Sequence, residues 1–228
     1  MKSAHSTSRN ENHSRRAAKE ADAVIFIGGL NKAAHQDCED SDRYGLELPY
    51  AQDKTIEALA AVNPNLTVVI VSGNAVAMPW VDKVNGIMET WFSGSQTGHA
   101  LADVLFGKVN PSGRLPFSIP FKYEDGPIKT EAQYPGIKAE DDQFWQTHYS
   151  EGVYVGYRWY DSKDVPVQWP FGHGLSYTVF EYGNAKAARP YMNADWTLKV
   201  SVDVTNAGDC DGAEIVQLYI ADSEASVD

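Results

Sequence analysis

Two apolar runs constrain this chain more than any other feature. Ala23-Val24-Ile25-Phe26-Ile27 is apolar at five successive positions and ends in Gly28-Gly29. Leu66-Thr67-Val68-Val69-Ile70-Val71 ends in Ser72-Gly73-Asn74. Short continuous apolar runs stopped by glycine predict buried strands, and the first predicts a central strand covered on both faces. A helical segment lies between them, opening at Pro49 and carrying Tyr50, Ile56, Leu59, Ala60 and Val62 on its apolar side. Asn63-Pro64-Asn65 ends it, because proline disfavours α geometry in the residue before it. Met78-Pro79-Trp80-Val81 predicts a short helix, Gly86 to Trp91 a third strand, and Gly98 to Phe106 a helix stopped by Gly107. Alternating strands and helices joined by short glycine-containing links predict an α/β layered structure with a mostly parallel sheet.

Between the first strand and its helix lies Asp37-Cys38-Glu39-Asp40-Ser41-Asp42-Arg43. Most charge clusters in loops are solvated surface. This one stands at the end of a buried strand, where α/β proteins place their chemistry. The net charge of −12 argues against nucleic acid and anionic membrane surfaces as partners, since both need a basic footprint. No apolar run approaches the roughly 20 residues of a membrane span. The polar N-terminus has no apolar core for a signal peptide, so the chain as written reads as cytoplasmic, while its parent could be periplasmic or secreted. Cys38 and Cys210 predict two free thiols, and no zinc-type Cys/His spacing occurs. GxGxxG is absent, which speaks against a dinucleotide site. No cofactor or metal is expected. Aromatic residues make up 11% of the chain, a share compatible with carbohydrate handling.

From Asn110 the texture changes. Asn110-Pro111-Ser112-Gly113 predicts a turn and Leu115 to Pro120 an extended segment. Residues 121–150 read as a long surface excursion, and loops of that length are usually functional or disordered. Glu151 to Tyr160 alternates as a strand would. Trp196 to Val204 and Glu214 to Ile220 alternate strictly around a turn at Asn206-Ala207-Gly208-Asp209, as in a β-sandwich. A complete sandwich needs about 100 residues, so this one is cut short.

These pieces, in this order, resemble glycoside hydrolase family 3, the β-glucosidase family. The matching motifs are Asp42-Arg43 with Leu46-Glu47-Leu48-Pro49; Ser72-Gly73-Asn74; Met78-Pro79-Trp80; Gly98 to Gly107; Asn110 to Pro116; Glu151 to Arg158; and Pro170 to Thr178. The resemblance implies a polar tail over 1–20, the family's α/β sandwich domain over 21–177, and part of a fibronectin type III-like sandwich over 178–228. It also implies that the catalytic (β/α)8 barrel, with its aspartate nucleophile, is missing from this sequence. Retaining hydrolysis of β-glucosides uses two carboxyl groups. The resemblance places the general acid/base at Glu39, with Asp37 as the fallback. Asp42 and Arg43 are expected to pair and fix the loop. Asp40 stands where the family often has glycine, which Asp can replace at some cost if the position needs a positive φ. Neighbouring anions would keep the acid protonated near neutral pH. The expected partners are a β-glucoside or oligosaccharide and a barrel domain or chain; the competing reading is a non-catalytic module that binds glucan or a barrel-bearing partner.

Several other residues carry structural expectations. His99 is expected to pack or hydrogen-bond in its helix and His173 to sit in a turn. Trp80, Trp91, Trp159 and Trp169 are expected in the core, and Arg158 with Asp161 as an ion pair. The incomplete sandwich leaves unpaired edges that invite association near Trp196 to Ile220.

Overall fold

The computed structural model describes residues 13–138, 144–189 and 197–221. They fall into two compact units, one built from residues up to 97 with 116–171, the other from 98–115 with 172 onwards.

The first unit is the α/β part. Helix α1 covers residues 13–20. Strand β1 (Val24–Gly29), helix α2 (Gln52–Ala60), strand β2 (Leu66–Val71), a 3-10 turn (Val81–Lys83) and strand β3 (Gly86–Glu89) follow. The three strands form one parallel sheet in the order β1-β2-β3. Val24 and Phe26 from β1, Leu66, Val68 and Ile70 from β2, and Ile56 and Leu59 from α2 meet in one apolar core. Trp80 closes it, fully buried, and its indole Nε1 donates to Asp53 Oδ1 at 2.7 Å. A buried indole needs such a partner.

The expectation that both faces of the first strand are covered holds for β2 but not for β1. Ile25 and Ile27 are 46% and 58% exposed. β1 lies at the sheet edge, and of its two faces only the Val24 and Phe26 side is packed on the core. Helix α2 also starts later than Pro49 suggested. Tyr50 and Ala51 both have left-handed backbones (φ 60° and 57°), so Gln52 is the first helical residue and Tyr50 lies outside the apolar side. That late start has a use. The Gln52 amide docks on the end of β1, accepting from Gly29 N and donating to Gly29 O, both at 2.8 Å. A side chain on Gly28 would collide with that amide, and one on Gly29 with the Val71 carbonyl. This accounts for the two glycines.

The long excursion contains structure. A 3-10 turn (Tyr123–Asp125) and the two-residue strands β5 (Ile137–Lys138) and β6 (Trp145–Gln146) form within it. Strands β4 (Ile119–Pro120) and β7 (Val167–Trp169) pair antiparallel beside it. The strand expected over Glu151 to Tyr160 is a correction: Tyr157–Ser162 is a helix, α4, with Tyr160 buried. Aromatic residues at mixed spacing mimicked an alternation that no neighbouring strand supports. Arg158 and Asp161 form no ion pair with each other among the described residues. The tryptophans are structural: Trp91 stacks edge-on against Phe117, Trp159 donates to Asp125 O, and Trp169 packs on the core.

The second unit holds helix α3 (Thr97–Leu105), which is stopped by Gly107 at φ +74°, and an antiparallel pair, β8 (Phe180–Ala187) and β9 (Val200–Asn206). His99 is exposed rather than packed. His173 lies between Gly172 and Gly174, and burial lowers its pKa, helped by the charge of Arg114. Its carbonyl accepts from Leu115 N at 2.8 Å. Arg114 makes a two-bond ion pair with Glu214, both contacts at 2.8 Å, with side chains only 11% and 12% exposed. Asn110 Oδ1 accepts from Tyr177 N and Ser176 Oγ, and its Nδ2 donates to Asp211 O. The strand expected over Glu214 to Ile220 does not form; the segment alternates, but no described strand pairs with it. Trp196 lies outside the described residues. Cys38 and Cys210 are free thiols. Among the described residues, no helix is long and apolar enough to cross a membrane, and no His, Cys, Asp and Glu side chains group as a metal site.

Candidate active site

The acidic loop leaves the end of β1 and is bound back to the sheet at several points. Leu30 N donates to Val71 O at 2.8 Å, which extends the parallel ladder one step beyond β1. Asn31 then turns the chain: its Oδ1 accepts from Ala33 N at 2.7 Å and its carbonyl from Asp37 N at 3.0 Å. Buried Gln36 accepts from Asn31 N and donates to Tyr50 OH at 2.7 Å.

Within this frame Cys38 and Ser41 form an isolated antiparallel bridge. Glu39 and Asp40 are the two residues at the tip of the resulting turn, both exposed. Asp40 has φ 65°, the left-handed conformation that favours glycine. The position the family often gives to glycine does need a positive φ here.

The carboxylates of Asp37 and Asp42 are engaged, whereas those of Glu39 and Asp40 stand at the exposed tip of the turn. Asp37 is a latch. Its Oδ2 accepts from Gly73 N at 2.5 Å and its Oδ1 from Asn74 Nδ2. Asp42 Oδ2 accepts from Tyr134 OH at 2.5 Å, which binds the excursion to the loop and pushes the tyrosine pKa up. Asp42 and Arg43 do not pair with each other, contrary to expectation. They point to different anchors. Arg43 Nη1 donates to Asn74 Oδ1 at 2.5 Å and Ala75 O at 2.6 Å, and its Nη2 to Glu47 O at 3.2 Å. Burial lowers the Arg43 pKa, and the charges of Asp37 and Glu47 oppose that. Asn74 is therefore gripped from both sides, by Asp37 on its amide nitrogen and Arg43 on its amide oxygen. Glu39 keeps its carboxyl in solvent, with no hydrogen bond or ion pair to a described residue.

Sequence reasoning missed two residues. His35, at φ 61°, organises the loop from within. Its Nδ1 lies 2.9 Å from both Asp42 O and Ser41 Oγ, and its Nε2 lies 2.8 Å from Tyr44 OH. A neutral ring carrying its proton on Nδ1 donates to the Asp42 carbonyl and accepts from Tyr44. The two rings also stack, with centroids 4.2 Å apart. No local pattern announces this histidine, because its partners come six to nine residues later. The second is Glu89, the last residue of β3. Its Oε2 lies 3.2 Å from Ser72 Oγ and its Oε1 accepts from Trp91 N at 3.0 Å. Burial pushes its pKa up to about 7. A carboxylate at the C-terminal end of a parallel strand was the signal that could have found it.

Residues 1–177 match the glycosyl hydrolase family 3 C-terminal domain. The chain belongs to glycosyl hydrolase family 3. A beta-glucosidase of this family from Bacteroides ovatus, BoGH3A, is 52% identical over 212 residues, which cover 92% of this chain and 28% of the relative. An exo-alpha-(1->6)-L-arabinopyranosidase from Bifidobacterium breve is 42% identical over 92% of this chain and 26% of its own length. The crystal structure of DesR, a beta-glucosidase from Streptomyces venezuelae in complex with D-glucose, superposes with a TM-score of 0.79 at 34% identity, covering 90% of this chain and 25% of that one. The chain thus spans about a quarter of the length of the family 3 relatives it matches.

Proposed function

We propose that this chain carries the general acid/base of a retaining β-glucosidase, with Glu39 in that role. The observation that carries the reading is the division of labour in the loop. Asp37 and Asp42 are occupied as hydrogen-bond acceptors, whereas Glu39 projects beside Asp40 from a turn that His35, Asp37 and Arg43 hold in place, and of these two the family resemblance points to Glu39. The 52% identity to a beta-glucosidase over nearly the whole chain supports the β-glucosidase part of this reading.

In this reading Glu39, protonated, gives its proton to the glycosidic oxygen as the aglycone leaves. The resulting carboxylate then takes a proton from the water that hydrolyses the glycosyl-enzyme. The nucleophile, a second carboxylate about 5 Å away across the scissile bond, belongs to the part of the family architecture that this chain does not span. Asp37 is not the acid/base in this reading, because protonating and deprotonating it would undo the latch to Gly73 and Asn74.

The purified chain alone is expected to hydrolyse an aryl β-glucoside little or not at all. A chimera tests the assignment. This chain replaces the matching region of the Bacteroides ovatus beta-glucosidase, and Glu39→Gln is compared with the parent chimera. Loss of the acid should lower turnover of a poorly activated aryl β-glucoside by 10²-fold or more. An activated dinitrophenyl β-glucoside should still glycosylate the enzyme, and azide should restore its turnover as glycosyl azide. Unchanged turnover in Glu39→Gln would sink the assignment. The same chimera assayed on aryl arabinopyranosides tells whether this region bears on the sugar.

A further inference from the structure

The carboxyl of Glu89 belongs to no step of the proposed reaction, yet it is half-buried at the end of β3 beside the strand that anchors the acidic loop. Its neighbours pose a proton-counting problem. Ser72 Oγ is 2.9 Å from Asn74 O and 3.2 Å from Glu89 Oε2. A serine hydroxyl has one proton. If Glu89 is ionised, both neighbours are acceptors and only one of the two contacts is a hydrogen bond. If Glu89 is protonated, it donates to Ser72 Oγ and Ser72 donates to the Asn74 carbonyl. Both contacts are then satisfied, and Asn74 is fixed in the orientation in which its side chain meets Asp37 and Arg43.

We propose that Glu89 is a positioning residue that holds its proton in the working protein and, through Ser72 and Asn74, sets the loop that carries Glu39. This rests on the reading of Glu39 as the acid/base. Glu89 touches no substrate; it acts through the loop. Its environment is consistent with retaining the proton, since burial is the leading influence on it and raises its pKa to about 7. Hydrogen bonds from the Trp91 N–H, the Ser72 hydroxyl and N–H, and the Thr90 N–H act the other way. The charged groups around the same network are Asp37 and Arg43, both on Asn74, and Lys32, whose ammonium sits 5.0 Å from the Phe92 ring. Ile70, the partner of Glu89 across the sheet, brings no charge. As pH rises through neutrality Glu89 loses its proton, one of the two Ser72 bonds is lost, and the Asn74 anchor loosens. The Glu39 turn is held best below that point.

The test uses this chain with 13C-carboxyl-labelled glutamate and follows it by NMR from pH 4 to 9. The Glu89 signal, assigned by its disappearance in Glu89→Gln, should titrate near neutrality. The Gly73 amide and the Asn74 side-chain amide should move with the same midpoint. In Glu89→Gln, whose amide donates to Ser72 as the protonated acid does, both amides should stay at their low-pH positions across the range. Glu89→Ala should shift them at every pH. A Glu89 midpoint below about 5 would overturn the proposal. So would amides that ignore the Glu89 titration, or a Glu89→Gln chain that behaves like Glu89→Ala. Should the variants fail to fold, the wild-type titration decides alone, with the Glu89 carboxyl assigned by through-bond correlation to its own backbone amide. None of these readouts depends on glycosidase activity, so failure of the Glu39 assignment in the chimera and failure here are separate results.

Discussion

Replacing Asp37 by alanine isolates the central latch of the loop. The side chain accepts two hydrogen bonds, from Gly73 N and Asn74 Nδ2. Hydrogen bonds to a charged group contribute about 1.5–3 kcal/mol each when shielded. Gly73 lies at an exposed position, so water partly replaces the lost acceptor and the smaller values apply. Arg43 also loses a favourable neighbouring charge. A local loss of about 2 kcal/mol follows, which is about 30-fold in the opening equilibrium. Native-state amide exchange reads this directly. Gly73 should lose about 30-fold in protection, while the β2 amides of Val68 to Ile70 keep theirs. Asp37→Asn should fall in between, because its amide oxygen still accepts but its NH2 faces the Asn74 NH2. A change under about threefold at Gly73 would refute the latch. An equal loss along β2 would mean that Asp37 supports global stability rather than the loop.

Other outcomes follow from the same geometry. Glu89 has a folded-state pKa of about 7 against an ordinary 4.5, so the unfolded chain binds fewer protons between those values. Its stabilising contribution is complete below about pH 4.5 and is lost as pH rises through 7, by about 3 kcal/mol; urea midpoints should fall over that range in the wild type and flatten in Glu89→Gln. Asp40→Gly relieves a left-handed non-glycine backbone and should raise thermal stability, by about 0.5–1 kcal/mol. Arg114→Ala strands Glu214 without its two-bond partner at a nearly buried site. About 3 kcal/mol should be lost, seen as faster proteolysis between residues 211 and 221. Tyr134→Phe removes the bond to Asp42 and should speed cleavage within the excursion, with at most about 1 kcal/mol of stability lost.

The parallel sheet was legible because its signals are local. The apolar run of β1 ends in Gly28 and Gly29, whose close approaches leave no room for a side chain, and that of β2 is stopped at Gly73. Helix α3 and its stop at Gly107 were legible for the same reason. What misled was alternation without a partner. Glu151 to Tyr160 and Glu214 to Ile220 both alternate, yet a strand exists only where another strand accepts its hydrogen bonds. The first became α4 and the second forms no ladder. The exposed face of β1 was missed because an apolar run does not say which side is covered. At the site, the Glu39-Asp40 turn could be read from family spacing, and the backbone of Asp40 fits it. The roles of Asp42 and Arg43 could not, because adjacent opposite charges suggest a pair while their anchors lie far along the chain, at Tyr134 and Asn74. His35 and Glu89 act through contacts that only the folded chain creates.

The three parallel strands act together as a ruler for one carboxyl group. The Glu39 turn starts from the end of β1, is latched to residues just past the end of β2, and is backed by the last residue of β3. Gly29 aligns with Val71, and Ile70 with Glu89. A slip of one residue in either pairing would carry an anchor about 3.3 Å along the sheet and turn its side chains to the opposite face. Displacements of about 1 Å already cost catalysts about 100-fold. If Glu39 is the acid/base as proposed, core residues such as Val68 and Ile70 fix the strand alignment on which its reach depends.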